Sequence, residues 1–149
     1  MTNNNVTLYR VIKAAPEKVY RAFTEPTALA SWLPPYGFLC VIHNIDVKPG
    51  GDYKMSFINF SKGNGHSFGG KYLEIKPNEF IKYTDKFDNP QLPGEMITSV
   101  WLKKVLCGTE LKVVQEGIPA AIPVEMCYLG WQESLEKLIK LVEPEIPDA

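Results

Sequence analysis

The 149-residue chain has few of the sequence features that are typical of disulfide-rich, zinc-binding or membrane-spanning proteins. Its three cysteines, Cys40, Cys107 and Cys127, are odd in number, widely separated and without a C-x-x-C pair, which argues against a disulfide framework and a zinc knuckle. The longest clean apolar run, at 38–42, is much shorter than the roughly 20 residues that cross a bilayer, and the first ten residues contain no signal-peptide core. We therefore expect no membrane span and a cytoplasmic protein.

An excess of charge of one sign is also absent. The 16 lysines and arginines against 17 aspartates and glutamates leave a net charge of −1, which gives no electrostatic reason to expect nucleic acid or an anionic membrane surface as a partner. The only histidines, His43 and His66, lie on different predicted strands with no carboxylate or cysteine at ligand spacing. We expect neither a metal site nor a cofactor.

The composition that remains is that of an ordinary folded protein. Apolar residues make up 45% of the chain and charged residues 22%, which is close to the usual globular mixture. A chain of this length can bury about 68 to 70% of the surface of its unfolded form. We expect one domain over residues 1–149 with a true hydrophobic core.

Hydrophobic periodicity predicts the order of the elements. Residues 6–12 are rich in β-branched and aromatic side chains and predict a first strand, after which Pro16 and Pro26 mark the starts of two short helices. Six further β segments separated by turn signals then predict an antiparallel meander. Pro123, read as the first helical residue, opens an apolar stripe that continues to 142 and predicts a long amphipathic helix. The layout is α+β, with the last helix covering one face of the sheet.

Five stretches of the chain carry a resemblance to a known family: "RVIKAAPEKVYRAFTEPTALASWLPP", "DVKPGGDYKMSF", "GGKYLEIKPNEFIKYTDKF", "LKVVQEGIP" and "GWQESLEKLIKLV". Together they resemble the activator of Hsp90 ATPase homologue family, within the START-like (SRPBCC, Bet v 1-like) superfamily. The chain departs from the pattern at Leu33, where a second tryptophan is common, and at Gln115, where a histidine often stands. Functions tied to these two positions are therefore not carried over.

The resemblance implies a helix-grip fold, in which a curved antiparallel sheet of about seven strands wraps the C-terminal helix and leaves a cavity. A twisted sheet also curls away from a straight helix on physical grounds, so their side chains cannot meet everywhere. Large side chains at inward positions would line a site for a small hydrophobic or aromatic molecule. The competing interpretation is that they simply form the core; the candidates are Trp32, Tyr53, Met55, Phe57, Phe68, Tyr72, Tyr83, Tyr128 and Trp131.

Two residues are candidates for proton chemistry. Asp85 would have a raised pKa if it faced inward, but would be an ordinary solvated charge between Lys82 and Lys86 if it faced outward, and we favour the outward orientation. His43 could reach a pocket and move protons, although a hydrogen-bonded sheet histidine is the simpler interpretation, and we place His66 at a wet rim. No nucleophile and base pair is recognisable.

Two glycine positions are given structural roles. Gly69 and Gly70 predict a bulge or a sharp bend in the sheet, and the weak helix former Gly130 predicts a close backbone approach beside Trp131.

Three functions remain open at this stage. The first is binding of a small hydrophobic ligand between sheet and helix, without an assigned reaction. The second is an enzyme of the polyketide cyclase or hydrolase type that uses Asp85 or His43. The third is a protein-interaction domain with a chaperone partner, as the resemblance to co-chaperones implies, although we expect no appended domain that could anchor one. A shared fold does not choose among them.

Overall fold

The computed structural model describes residues 4–148. Seven strands and three helices follow one another in this part of the chain, with the bounds β1 (Val6–Ile12), α1 (Pro16–Thr24), α2 (Pro26–Trp32), β2 (Phe38–Ile45), β3 (Asp52–Asn59), β4 (Gly65–Lys76), β5 (Phe80–Phe87), β6 (Met96–Val105), β7 (Gly108–Glu116) and α3 (Val124–Val142). The fold is the predicted α+β helix-grip arrangement.

The strands form one antiparallel sheet in the order β1-β7-β6-β5-β4-β3-β2. Strands β2 to β7 pair with their neighbours in sequence, and β1 joins the far edge by pairing with β7. The register shifts twice, between Ile42 and Asn44 on β2 and between Tyr72 and Glu74 on β4. The predicted bulge at Gly69 and Gly70 is thus a few residues from the observed irregularity on β4, and bulges of this kind increase the local twist of a sheet.

The two short helices begin as the prolines predict. Pro16 and Pro26 are the first residues of α1 and α2, where the missing amide hydrogen costs no intrahelical bond. The same expectation for Pro123 is wrong by one position, because it is the N-cap of α3, with extended backbone angles, and the helix starts at Val124.

Helix α3 is held against the rest of the molecule mainly by its C-terminal half. Leu135, Leu138 and Val142 are almost fully buried, whereas Met126 and Leu129 in the first half keep 59% and 46% of their surface exposed. In the described part of the chain, Cα atoms of α3 come within 8 Å of those of β1, α1 and α2 and stay farther from the other six strands. The sheet therefore curves away beneath the first half of α3.

Candidate functional site

A cavity of about 300 Å³ lies between the curved sheet and the first half of α3. Its walls come from strands β2 to β7, from α1 and α2, and from α3 with the segment before it. The volume falls at the lower end of the range for small-molecule sites, about 300 to 1,000 Å³. The lining is dominated by aromatic and aliphatic side chains, with Gln115, Ser134, Asp85 and His66 among its polar members.

Seven of the nine predicted lining residues border this cavity: Tyr53, Met55, Phe57, Phe68, Tyr72, Tyr83 and Trp131. The six that lie on β3, β4 and β5 alternate with outward-facing residues, as period-2 geometry requires, and Trp131 comes from α3. Their rings contact one another edge to face, for example Phe57 and Phe68, with centroids 4.7 Å apart, and Tyr53 and Tyr83, with centroids 5.8 Å apart. Such contacts favour a defined wall over a loosely packed one.

The other two predicted lining residues lie elsewhere. Trp32 is completely buried, its Nε1 donates a hydrogen bond of 2.7 Å to the carbonyl oxygen of Ala22, and its ring packs edge to face on Phe23. It is a core residue between α1 and α2. Tyr128 is 41% exposed and lies on the outer side of α3, because at that end of the helix no other element covers its outer face.

Asp85 faces the cavity, contrary to the outward orientation that we favoured from the sequence. On β5, which pairs without a shift from Phe80 to Asp85 with β6, Ile81, Tyr83 and Asp85 all point to the cavity side. The spacing of these residues in the sequence already indicates the inward orientation of Asp85. Tyr83 and Asp85 are two residues apart on one regular strand, so they must share a face.

Burial raises the pKa of Asp85 to about 7, because the low-dielectric surroundings disfavour the charged form. The nearby Tyr53 hydroxyl and the backbone amide of Lys86 oppose the rise in the pKa of Asp85. The Tyr53 hydroxyl has one hydrogen to donate, and the carbonyl oxygen of Thr84 accepts it at 2.8 Å. Oδ1 of Asp85 is buried and has no hydrogen-bond partner. A carboxyl group close to half ionisation thus borders the cavity at neutral pH.

Gly70 makes the approach of Tyr53 to β5 possible. Tyr53 is paired with Gly70 across β3 and β4, and its side chain crosses over this residue to reach Thr84 on the next strand. A Cβ atom at Gly70 would lie 2.0 Å from the carbonyl oxygen of Thr84, which is far inside van der Waals contact. Only glycine fits here, so the role of Gly70 is close backbone approach.

A buried chain of hydrogen bonds joins α3 to strands β7, β6 and β5 at the side of the aromatic wall. Nε1 of Trp131 donates to Oε1 of Gln115 at 3.2 Å, and Nε2 of Gln115 donates to Oγ1 of Thr98 at 3.3 Å. The Thr98 hydroxyl in turn hydrogen-bonds Tyr83 and so opposes the rise in the pKa of that phenol caused by burial. This chain fixes the indole of α3 relative to three strands. The sequence marked Gln115 as a departure from the family pattern but gave no sign of this contact.

The two histidines lie on opposite faces of the sheet, His43 as the hydrogen-bonded sheet histidine of the simpler interpretation and His66 near the edge of the cavity. His43 is exposed on the outer face of the sheet, where its Nε2 lies 2.8 Å from Oγ of Ser56, so it cannot act in the cavity. His66 lines the cavity near its edge, and burial lowers the pKa of its imidazole, which keeps the ring neutral at pH 7. His43 has the same parity as the exposed Leu39 and Val41, so ordinary alternation along β2 places it on the outer face.

Gly130 is not required by close packing. A Cβ added there would meet Pro35 Cγ at 3.8 Å, an ordinary contact, so the predicted close backbone approach is wrong. No cluster of three or more metal-ligating side chains occurs in residues 4–148. Among the helices of the same range, none is long and apolar enough to cross a membrane.

An antiparallel sheet that grips a C-terminal helix around an internal cavity defines the START-like class of proteins. The family model described as "Activator of Hsp90 ATPase homolog 1-like protein" matches residues 13–143. The chain belongs to this family, AHSA1.

Solved structures agree with this assignment. Protein CV1439 from Chromobacterium violaceum is 56% identical, with a TM-score of 0.94, over 95% of this chain and 99% of that one. Protein NE0264 from Nitrosomonas europaea (21% identity, TM-score 0.78, 92% of each chain) has the same fold. So does the AHSA1-like protein from Aeromonas hydrophila (16% identity, TM-score 0.77, 93% of this chain and 92% of that one). A search of curated proteins found no match.

Proposed function

We propose that the protein binds a small hydrophobic molecule in the cavity between the sheet and α3. The observation that carries the proposal is the cavity itself, about 300 Å³ in volume and walled largely by aromatic and aliphatic side chains. Apolar hollows in proteins are costly because their lining atoms lack contacts on one side. A ligand that fills the hollow regains those contacts, so binding is favoured without any rearrangement of the sheet.

Calorimetry with the neutral probe 4-phenyl-1-butanol tests this proposal. A probe of this size is expected to bind with Kd on the order of 0.1 to 4 mM, given roughly 0.3 to 0.5 kcal/mol per heavy atom. Leu33→Trp should abolish most of the binding, because Leu33 lines the cavity and an indole at this position would occupy part of it. Leu39→Trp is the matched control, since Leu39 is 53% exposed and lies outside the lining.

Two results would contradict ligand binding. One is the absence of any heat of binding with the wild-type protein at millimolar probe. The other is equal affinity in the Leu33→Trp and wild-type proteins, which would place the probe somewhere else on the surface. Native mass spectrometry on the same samples gives the stoichiometry, for which we expect one probe molecule per chain.

The second candidate function is an enzyme of the cyclase or hydrolase type. The observation in its favour is that two titratable groups, Asp85 and His66, line one cavity, and that Asp85 has a pKa of about 7. A general acid or base works best when its pKa is near the operating pH. His43 is no longer a candidate because it lies outside the cavity.

Hydrolysis of p-nitrophenyl butyrate at pH 7 separates this candidate from simple binding. If Asp85 transfers a proton in the reaction, Asp85→Asn should lower the rate by about 100-fold or more. A rate that is the same in the wild-type protein, in Asp85→Asn and in buffer would eliminate the esterase version of this function.

A further inference from the structure

The cavity contains one group that can carry a full negative charge, and the described residues that line it include no lysine or arginine. That group is the carboxyl of Asp85, whose Oδ1 is buried and unpartnered. Buried carboxylates in proteins are normally paired with a cation or satisfied by several donors. Because Asp85 lines the cavity and the described lining residues include no cation, a positive charge opposite this carboxyl has to come from the molecule that occupies the cavity.

Within residues 4–148, no group donates a hydrogen bond to Oδ1 of Asp85. The Tyr53 hydroxyl is committed to the carbonyl oxygen of Thr84 at 2.8 Å, and a side chain at Gly70, which faces both Tyr53 and Thr84, is sterically excluded. Lys86 follows Asp85 on the same strand and therefore points to the opposite, outer face. The carboxyl group therefore has no cationic side chain beside it on its own strand or among the described lining residues.

The rings around Asp85 also favour positive charge. Tyr53, Tyr72 and Tyr83 form a triangle with centroid separations of 5.7, 5.8 and 6.0 Å, and all three line the cavity. The faces of aromatic rings attract ammonium groups, most strongly where water is excluded. A carboxylate beside several aromatic rings is therefore a favourable environment for an organic cation and an unfavourable one for an anion.

Given the ligand-binding function proposed above, we infer that the cavity takes hydrophobic amines, with the protonated amino group paired to Asp85 and the apolar body lying along the aromatic wall. The cavity volume of about 300 Å³ limits the ligand to a compact molecule, for example one ring and a short chain. A carboxylate-bearing ligand of the same shape should be rejected, because it would meet Asp85 with like charge.

The pH dependence follows from the state of Asp85. Its pKa of about 7 means that the group pairs fully with an ammonium ion only above neutral pH, so affinity for an amine should rise between pH 5.5 and 8.5. The titratable groups that face Asp85 are Tyr53 on β3, Tyr83 on β5 and Cys127 on α3, whose pKa values are raised, and His66 of β4 lines the same cavity. The first three stay neutral across this range, and His66, with its lowered pKa, is neutral in the upper part of it.

Three probes of equal shape test the inference: 4-phenylbutylamine, 4-phenyl-1-butanol and 4-phenylbutyrate, titrated calorimetrically at pH 8.5. We expect the amine to bind about tenfold or more tightly than the alcohol, and the carboxylate to bind most weakly. In Asp85→Asn the preference for the amine should fall to within about twofold of the alcohol. Asp52→Asn, which removes an exposed carboxylate on β3, should leave all three affinities unchanged.

The outcomes separate this inference from the function on which it rests. If the alcohol binds while the amine binds no better, or if Asp85→Asn keeps the preference for the amine, the amine assignment is wrong and ligand binding stands. If none of the three probes binds, both fail. Should Asp85→Asn not fold, the wild-type protein decides: the ratio of amine to alcohol affinity must increase about fivefold or more from pH 5.5 to 8.5, and a constant ratio overturns the inference.

Discussion

The two halves of α3 carry the same kind of apolar stripe but meet very different surroundings. In the C-terminal half, Leu135 and Leu138 are fully buried, and Oγ of Ser134 at its start donates a hydrogen bond to the carbonyl oxygen of Leu33, next to α2. In the N-terminal half, Cys127 and Trp131 face a cavity, while Met126 and Leu129 are exposed. An amphipathic pattern thus specifies which side of a helix turns inward, but a filled core also needs a further element to close the space.

The largest expected difference between the halves is in the cost of removing a leucine. Leu138→Ala, at the packed end, should lower the free energy of unfolding by about 2 to 5 kcal/mol, because it leaves a new void in a filled core. Leu33→Ala, at the cavity wall, should cost about half as much or less, since this side chain is only partly buried and already borders empty space. Urea unfolding of both variants measures the difference. Equal costs would mean that the hollow end is packed in solution.

The substitution Asp85→Asn tests the hollow end of the molecule through the pH dependence of stability. The folded protein retains the proton of Asp85 up to a pKa of about 7, against 3.8 for the ordinary group, so unfolding releases a proton between these values and stability falls as pH rises from about 4 to about 7. The variant should lose this slope and be more stable than the wild-type protein at pH 8, by on the order of 2 kcal/mol. Below pH 4 the difference due to this charge should vanish.

Urea unfolding at several pH values checks this expectation, with Asp52→Asn as the exposed control. At each pH, the free energy of unfolding of the variant is compared with that of the wild-type protein, because the contributions of other titrating groups cancel in this difference. A difference that is independent of pH would show that Asp85 is not desolvated in the folded protein.

The smallest expected effect concerns the middle of α3. Gly130→Ala should raise the free energy of unfolding by about 1 kcal/mol, because alanine is the better helix former and its Cβ would meet Pro35 at 3.8 Å without a clash. Gly70→Ala is the contrasting substitution and should be strongly destabilising, since its Cβ would lie 2.0 Å from the carbonyl oxygen of Thr84. Thermal unfolding distinguishes the two, and a destabilising Gly130→Ala would indicate that α3 needs flexibility at this point.

Much of the fold was predictable because local signals agreed with the global arrangement. The bounds of β1 match the predicted segment, and the prolines at 16 and 26 begin helices. The wall of the cavity on β3 and β4 also followed from alternation. These predictions rest on period-2 and helical geometry, which a single sequence displays directly.

The polar part of the site was harder to predict for identifiable reasons. The outward orientation of Asp85 is favoured because strand register is ambiguous from one sequence, although its parity with Tyr83 places both side chains on the cavity face. The bond between Trp131 and Gln115 joins residues of a helix and a strand, and no periodic pattern encodes a contact between elements. The positions of Trp32 and Tyr128 could not be predicted, because they depend on which other elements cover α2 and α3.

The absence of a side chain at Gly70 limits how the cavity can be redesigned. Strand β4 runs beneath the polar end of the hollow but can contribute no functional group at that level, because its backbone is in direct contact with the crossing phenol of Tyr53 and with β5. New specificity at this end must come from the flanking strands, by exchanging the phenol or the carboxyl while the glycine stays untouched.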